Sequence, residues 1–334
     1  MGAPIKELTI EGFKSIRKLD RFQLQSLTVL IGANGAGKSN FVEFLRLIRA
    51  IAKGDWPIHV AKEGGGDGLF FGGPKTTPVI RVHLRVGAQI YGLVLEPAAD
   101  GRIVLTWLTR ASLKDNDSIK AWAVYHFHDT SNLSPMRREQ SVEDTAYLRH
   151  DASNIAAFLR LMRLQNLSEY TLIRDTIRLA APFFDDFLLK DRTNGNERTV
   201  ALDWRQKASD FPFQAWHLSD GTLRFICLAT ALLQPDPPPT IVIDEPELGL
   251  HPHALEVLAG LLQKASQRVQ VIVSTQSAPL LSQFEPEDVI TVCRKDGASV
   301  FGRLDRKDLA DWMKDYTLGE LWQKNVVEAG ASDD

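Results

Sequence analysis

The block with the clearest chemistry is GANGAGKS at 32–39, which fits the pattern GxxxxGK followed by Ser or Thr. Backbone N–H groups in such a glycine loop, with the N-terminus of the helix that follows, bind phosphate oxygens. In that chemistry Gly32, Asn34, Gly35, Ala36, Gly37 and Asn40 belong to the cradle, Lys38 reaches the β and γ phosphates of a nucleotide, and Ser39 offers its hydroxyl to Mg²⁺. The plain alternative is a glycine-rich turn that only caps a helix. The flanks argue against it, because SLTVLIG at 26–32 is a short apolar strand and FVEFLRLIRAIAK after the loop has apolar residues at helical spacing. A second block, TIVIDEPE at 240–247, is an apolar strand that ends in adjacent carboxylates. Asp244 is placed to hold Mg²⁺ through its water shell, and Glu245, one residue further out, to orient or deprotonate an attacking water.

Those side chains need a scaffold, and the rest of the chain supplies its elements. Residues 79–128 hold four β-rich stretches, VIRVHLRV, QIYGLVLE, RIVLTWL and IKAWAVYHFH, with turn signals ADG and DND between them, which predicts an antiparallel subsheet near 77–128. Residues 129–150 are polar and predict an exposed connection that includes Arg137 and Arg138. NIAAFLRLMRLQNL and YTLIRDTIRLAAPFF predict two helices, RTVALDW at 198–204 a strand, and LSDGTLRFICLATALL a capped helix stopped by the proline run at 235–240. From residue 240 onward TIVIDEPE, HPHALEVLAGLLQKAS, VQVIVSTQS, DVITVCRKDG and SVFGRL read as strand, helix, strand, strand and strand, which predicts a parallel α/β core. The expected fold is α/β, with an antiparallel subsheet and a helical insertion. Residues 1–128 and 198–334 form one discontinuous lobe and 129–197 the insertion.

Composition narrows the function. Lys plus Arg is 39 and Asp plus Glu is 42, a net charge of −3, so the chain lacks the positive field of an autonomous nucleic-acid clamp and any DNA contact is local. Cys227 and Cys293 form no CxxC, which excludes a zinc ribbon or disulfide framework and predicts a reducing, cytoplasmic setting. No apolar run spans a bilayer and MGAPIKELTIEGFK has no signal-peptide stretch, so no membrane role is expected.

LSDGTLRF at 218–225 resembles the signature motif that distinguishes ABC-type ATPases from other phosphate-loop proteins. With GFKSI, GANGAGKSN, DEPELGLHP and STQSAPLL in the same order, nearly the whole chain resembles the stand-alone RecF/SMC-like ATPases. Ser219 can cap a helix whose N–H groups at Asp220 and Gly221 form a second anion site. The resemblance implies that this helix end closes on the γ-phosphate held by another subunit, so that ATP and Mg²⁺ are sandwiched in a dimer. A bulky side chain at Gly221 is then expected to block that approach. Asp220 stands where the family usually has glycine, and a carboxylate there must be turned away or paired, with Arg224 as the expected partner. Gln276 occupies the place of the usual histidine beside the γ-phosphate, and glutamine can hydrogen-bond the phosphate or water but cannot become cationic. Lys14 in GFKSI matches a basic residue near the nucleotide in relatives, although an exposed turn lysine has the same pattern. The segment 64–74 lies in the usual Q-loop region but contains no glutamine.

Other constellations carry less. His126 and His128 share a strand face without a third ligand, Arg160 and Arg163 read as a solvated helix face, and LGELW at 318–322 is an apolar patch that docks on the body or on a partner. No Ser-His-Asp, Cys-His or HExxH arrangement occurs, and no nuclease domain of the kind some relatives carry is expected after Gln276. The expected function is Mg²⁺-dependent ATP binding and slow hydrolysis that drives head dimerisation and regulates a separately encoded, nuclease-like effector or a DNA transaction, in phage or plasmid defence or DNA repair. The competing readings are a nucleotide-gated scaffold with little turnover and a transporter subunit. The GFKSI opening and the missing Q-loop glutamine argue against the transporter.

Overall fold

A computed structural model describes residues 2–98, 102–195 and 197–327. Strands β1 (Ile5–Phe13) and β2 (Ile16–Gln23) form an antiparallel hairpin, with Lys14 at the turn in the left-handed region. Strand β3 (Leu27–Ile31) is buried at every position, as a strand covered on both faces must be. It leads through the glycine loop into α1 (Lys38–Lys53), followed by α2 (Trp56–Lys62). Strands β4 (Ile80–Val86), β5 (Gln89–Pro97) and β6 (Ile103–Trp107) then run antiparallel, and β4 alternates buried and exposed residues along its whole length.

The antiparallel sheet has the order β2-β1-β4-β5-β6, so its missing members are β1 and β2, not the fourth stretch expected near 77–128. That fourth stretch divides in two. Asn116 accepts the Ile119 N–H and caps a single turn, α3 (Asp117–Lys120), which removes these residues from any strand. The following β7 (Ala123–Tyr125) joins the edge of the other sheet.

Further along come β8 (Gln140–Ser141), α4 (Ile155–Gln165), α5 (Leu167–Ala180), β9 (Phe184–Phe187), β10 (Arg192–Asn194), β11 (Glu197–Val200), β12 (Trp204–Gln206) and β13 (Pro212–Phe213). The stretch RTVALDW is therefore two strands in two small sheets, β10-β11-β8 and β13-β12-β9, rather than one strand. Helix α6 (Asp220–Leu233) is buried at nearly every position from Leu223 on, which explains its almost continuous apolar sequence. Strand β14 (Thr240–Asp244), α7 (Pro252–Ser266), β15 (Gln270–Thr275), α8 (Ala278–Leu281), β16 (Val289–Lys295), β17 (Ala298–Arg303), α9 (Arg306–Leu309) and α10 (Leu318–Gln323) complete the described chain. The second sheet has the order β17-β16-β3-β15-β14-β7, and β16, β3, β15 and β14 are parallel.

Contacts divide the chain into two compact units. One comprises Met1–Val124, Pro238–Glu245 and Ser266–Asp334, and the other Tyr125–Pro237 and Pro246–Ala265. The sequence division into 1–128 with 198–334 against 129–197 follows chain segments, whereas the contacts place 198–237 and 246–265 with α4 and α5. The LGELW patch is α10, whose Leu318 and Leu321 are buried and whose Gly319 lies directly against the Ala278 carbonyl of α8, so it docks on the body. Among the described residues no helix is long and apolar enough to cross a membrane.

Candidate functional site

In the first unit the parallel strands bring the chemistry to one edge. Ile31 pairs with Thr275 and Asp244 with Ser274, so Gly32, Gln276 and Glu245 are the residues that follow the carboxyl ends of the adjacent strands β3, β15 and β14. Ligands of open α/β sheets bind outside such strand ends. Helix α1 starts there with Gly37 as its N-cap at φ 115°, without a side-chain cap and without an acidic residue in its first turn. Its first N–H groups are thus left to an anion. Lys38 Nζ donates to the carbonyls of Gly32 at 2.6 Å and Ala33 at 3.2 Å, which curls the ammonium over the loop, while Ser39 and Asn34 are exposed. Asp244 is buried and its Oδ1 accepts the Ser274 hydroxyl. Glu245 has φ 46°, a left-handed conformation that costs a non-glycine residue roughly 1–2 kcal/mol. Its N–H donates to the Ser274 carbonyl at 2.8 Å and holds that conformation.

The glycine loop rests on a hydroxyl network from both ends of the chain. Ser299 Oγ donates to the Ala36 carbonyl at 2.6 Å and lies 2.7 Å from Ser15 Oγ, and Asn40 Nδ2 donates to Ser15 Oγ at 2.6 Å. A Cβ on Gly37 would overlap Ser299 Oγ, and one on Gly32 would overlap the Val292 carbonyl, so both glycines are required by close approach as well as by the loop. Asn40, expected among the nucleotide-binding residues, is placed with its amide on this buttress. Lys14 lies 6.0 Å from the centroid of the Phe13 ring. Its charge also helps hold the Glu43 carboxyl below the usual range: burial works to raise it, and the hydrogen bond from His59 and the charges of Lys14, Arg46 and His59 outweigh that.

These groups fit a nucleotide and a magnesium ion. The uncapped helix start and Lys38 suit phosphate, and one carboxylate with one hydroxyl suits a metal that takes most of its ligands from phosphate and water. Among the described residues no cluster of three or more His, Cys, Asp or Glu is arranged for a metal held by protein alone.

The second unit contains the signature helix. Ser219 and Asp220 are exposed, and Ser219 Oγ accepts the Thr222 N–H at 3.2 Å as the N-cap of α6. A shallow cavity of about 90 Å³ opens there, lined by Ser219, Gly221, Thr222, Gly249, Leu250 and His251 among others. Gly221 is buried, and a Cβ on it would run into the Gly249 carbonyl. A bulky residue at Gly221 would therefore break packing inside the unit before it met any phosphate, and the exposed Ser219 is the cleaner place to block this helix end. Gly221→Ala is expected to destabilise the chain by about 1–3 kcal/mol through overpacking. A thermal midpoint equal to that of the wild type would show that the α6–Gly249 contact is slack.

Asp220 is paired with Arg137 rather than Arg224. The Arg137 guanidinium lies 2.8 Å from Asp220 Oδ1, and Arg137 is buried instead of lying in an exposed connection. Arg224 instead donates to the carbonyls of Phe127, His128 and Leu248, which ties α6 to the segment that precedes Gly249. The Asp220 charge still reaches Arg224, where burial lowers the guanidinium and Asp220 acts to raise it.

Comparison with known proteins places these observations in a family. The family described as "AAA domain, putative AbiEii toxin, Type IV TA system" matches residues 27–88 and 106–282, which include the glycine loop, the signature helix and the acidic strand end. The chain belongs to this family. No curated protein matches it. Among solved structures it is similar to the Smc head bound to the C-winged helix domain of ScpA, with 17% identity, a TM-score of 0.67, and 92% of this chain and 99% of that one covered. The Smc head domain from Pyrococcus furiosus with an extended coiled coil, bound to the C-terminal domain of ScpA, gives 16% identity, a TM-score of 0.62 and coverage of 94% and 99%. The Smc head domain from Pyrococcus yayanosii with a coiled coil and joint gives 12%, 0.59, 94% and 99%. The fold is that of a RecF/SMC-like phosphate-loop ATPase head.

Within that head the first unit brings together Gly32, Asn34, Gly35, Ala36, Gly37, Lys38, Ser39, Asn40, Asp244, Glu245 and Gln276, and the second holds Ser219, Asp220 and Gly221. His126 and His128 have ring centroids 3.9 Å apart, with no third ligand in a metal arrangement among the described residues. Sequence reasoning missed Ser15, Ser274, Ser299, Arg137 as the Asp220 partner, and the role of Arg224. Ser15 and Ser274 stood inside recognised blocks, where only the neighbouring residues drew notice. Ser299 and Arg137 had no local signal.

Proposed function

We propose that this chain binds ATP with Mg²⁺, hydrolyses it slowly, and uses the nucleotide to hold two copies head to head. The observation that carries this reading is the register of β3, β15 and β14, which sets the glycine loop, Gln276 and the Asp244–Glu245 pair along one strand edge. In this reading Lys38 and the α1 N-terminus bind the β and γ phosphates, and Ser39 and Asp244 hold the Mg²⁺ that screens their charge. Glu245 accepts the proton of the attacking water, and Gln276 orients that water or the γ-phosphate. Lys14 lies near the nucleotide, and Ser219, Asp220 and Gly221 close on the γ-phosphate of the opposite copy. Segments 1–128 and 198–334 act as the ATPase lobe and 129–197 as its insertion.

Opening and closing of such a dimer needs an output. The toxin–antitoxin family and the Smc heads bound to ScpA support a separately encoded partner, nuclease-like or otherwise, in defence or DNA repair, with DNA as a further ligand. A second reading, a nucleotide-gated scaffold with little turnover, is favoured by Gln276, which cannot carry a positive charge to the transition state.

A complementation assay tests the composite site. Ser219→Arg and Lys38→Ala are each expected to be inactive alone. Mixed, they form dimers with one site carrying both lesions and one carrying neither, so partial ATPase activity returns. Hydrolysis by a strict monomer, unaffected by Ser219→Arg, would overturn the dimer mechanism. ATP-dependent dimerisation without turnover would select the scaffold.

A further inference from the structure

We propose that Arg137 is a positioning residue that neutralises Asp220 and so makes a signature helix beginning with a carboxylate able to accept a phosphate. This inference rests on the function proposed above. Asp220 is the first residue of α6, and its side chain is 65% exposed at the helix end that would meet the γ-phosphate of another copy. An unpaired carboxylate there would repel a triphosphate, and more strongly as the site closes and loses water. The Arg137 side chain is only 4% exposed, and its geometry leaves it little freedom. Nε donates to the Thr130 carbonyl at 2.8 Å, Nη1 to the carbonyls of Ala215 at 2.5 Å and Leu218 at 3.1 Å, and Nη2 to Asp220 Oδ1 at 2.8 Å.

Each contact has a separate consequence. The Ala215 and Leu218 bonds fix the backbone that leads into the Ser219 cap. The Thr130 bond anchors the guanidinium in its own segment, and the remaining edge of the planar fork meets Asp220. Arg224 feels the Asp220 charge but does not take the place of Arg137 at the carboxylate, because its guanidinium donates to the carbonyls of Phe127, His128 and Leu248. The pair thus presents to solvent a carboxylate already compensated by a buried cation, and the helix N–H groups keep their affinity for an anion.

The test uses the full-length chain. Arg137→Gln is expected to lower ATP-driven dimerisation and kcat by at least ~10-fold, because it exposes an uncompensated like charge to the triphosphate. Nucleotide affinity at Lys38, measured on the monomer, should be unchanged. Adding Asp220→Asn to Arg137→Gln is expected to raise activity at least ~threefold above the single variant, since the repelling charge is then gone while the lost bonds to the Ala215 and Leu218 carbonyls are not replaced. A purely structural role would leave the double variant as defective as the single one, and that outcome, in a folded protein, would overturn the proposal. If Arg137→Gln does not fold, Arg137→Lys keeps the charge without the fork, and its dimerisation should fall more steeply with salt than that of wild type. An identical salt response would also overturn the proposal. A wild-type chain that neither dimerises nor turns over ATP would instead remove the function on which it rests.

Discussion

Lys38→Ala is expected to abolish ATP binding and leave the fold intact. The ammonium now donates to the Gly32 and Ala33 carbonyls, at the mouth of a helix whose N-cap, Gly37, offers no side-chain acceptor. With nucleotide bound, the same group exchanges those neutral acceptors for phosphate oxygens. Hydrogen bonds to charged groups contribute about 1.5–3 kcal/mol each, so loss of two such bonds removes about 3–6 kcal/mol. At 1.36 kcal/mol per decade that weakens affinity by about 10²–10⁴-fold. The cost to stability is expected to be smaller, because the Gly32 and Ala33 carbonyls that lose the ammonium can turn to water. Calorimetric titration with ATP measures the affinity and a thermal melt checks the fold. Unchanged affinity in a folded variant would remove the loop as the nucleotide site.

Glu245→Gln is expected to bind ATP normally and to hydrolyse it at least ~100-fold more slowly, the usual scale for loss of a general base. Gln has the shape of Glu, and the Glu245 N–H bond to the Ser274 carbonyl does not involve the side chain, so the left-handed backbone at φ 46° is retained. Asp244 keeps its Ser274 bond as well, and metal binding should survive. The variant should therefore accumulate as an ATP-bound closed dimer, visible by light scattering. A rate equal to wild type would show that another group activates the water, and Gln276 would be the next to replace.

The parts of the fold that could be read directly were those whose causes lie within one turn or one strand. The loop with Gly37 at the helix start, the Ser219 cap on Thr222, the proline run that ends α6 and the apolar run of β3 all depend on neighbours a few residues away. Their sequence patterns are therefore complete in themselves. The stretch IKAWAVYHFH at 119–128 shows how the same logic misleads, since a local Asn116 cap took its first residues into a helical turn despite a strand-like composition. Strand partners were also hidden: β1 and β2 belong with β4 because of pairing between distant segments, which apolar periodicity does not specify.

By itself the sequence determined where the glycine loop, the acidic strand end and the capped start of α6 stand, because motif spacing and helix-start chemistry are local properties of the chain. Only the tertiary structure decided what holds those residues in place. Ser15 meets Ser299 under the loop, Gly221 meets Gly249, and Arg137 rather than Arg224 takes Asp220. Each of these contacts joins residues far apart in sequence. A buried hydroxyl or guanidinium must find a partner somewhere, but its own neighbourhood does not say which segment will supply it. Topology alone selects the partner, by bringing one strand end, one loop or one helix start within hydrogen-bonding reach.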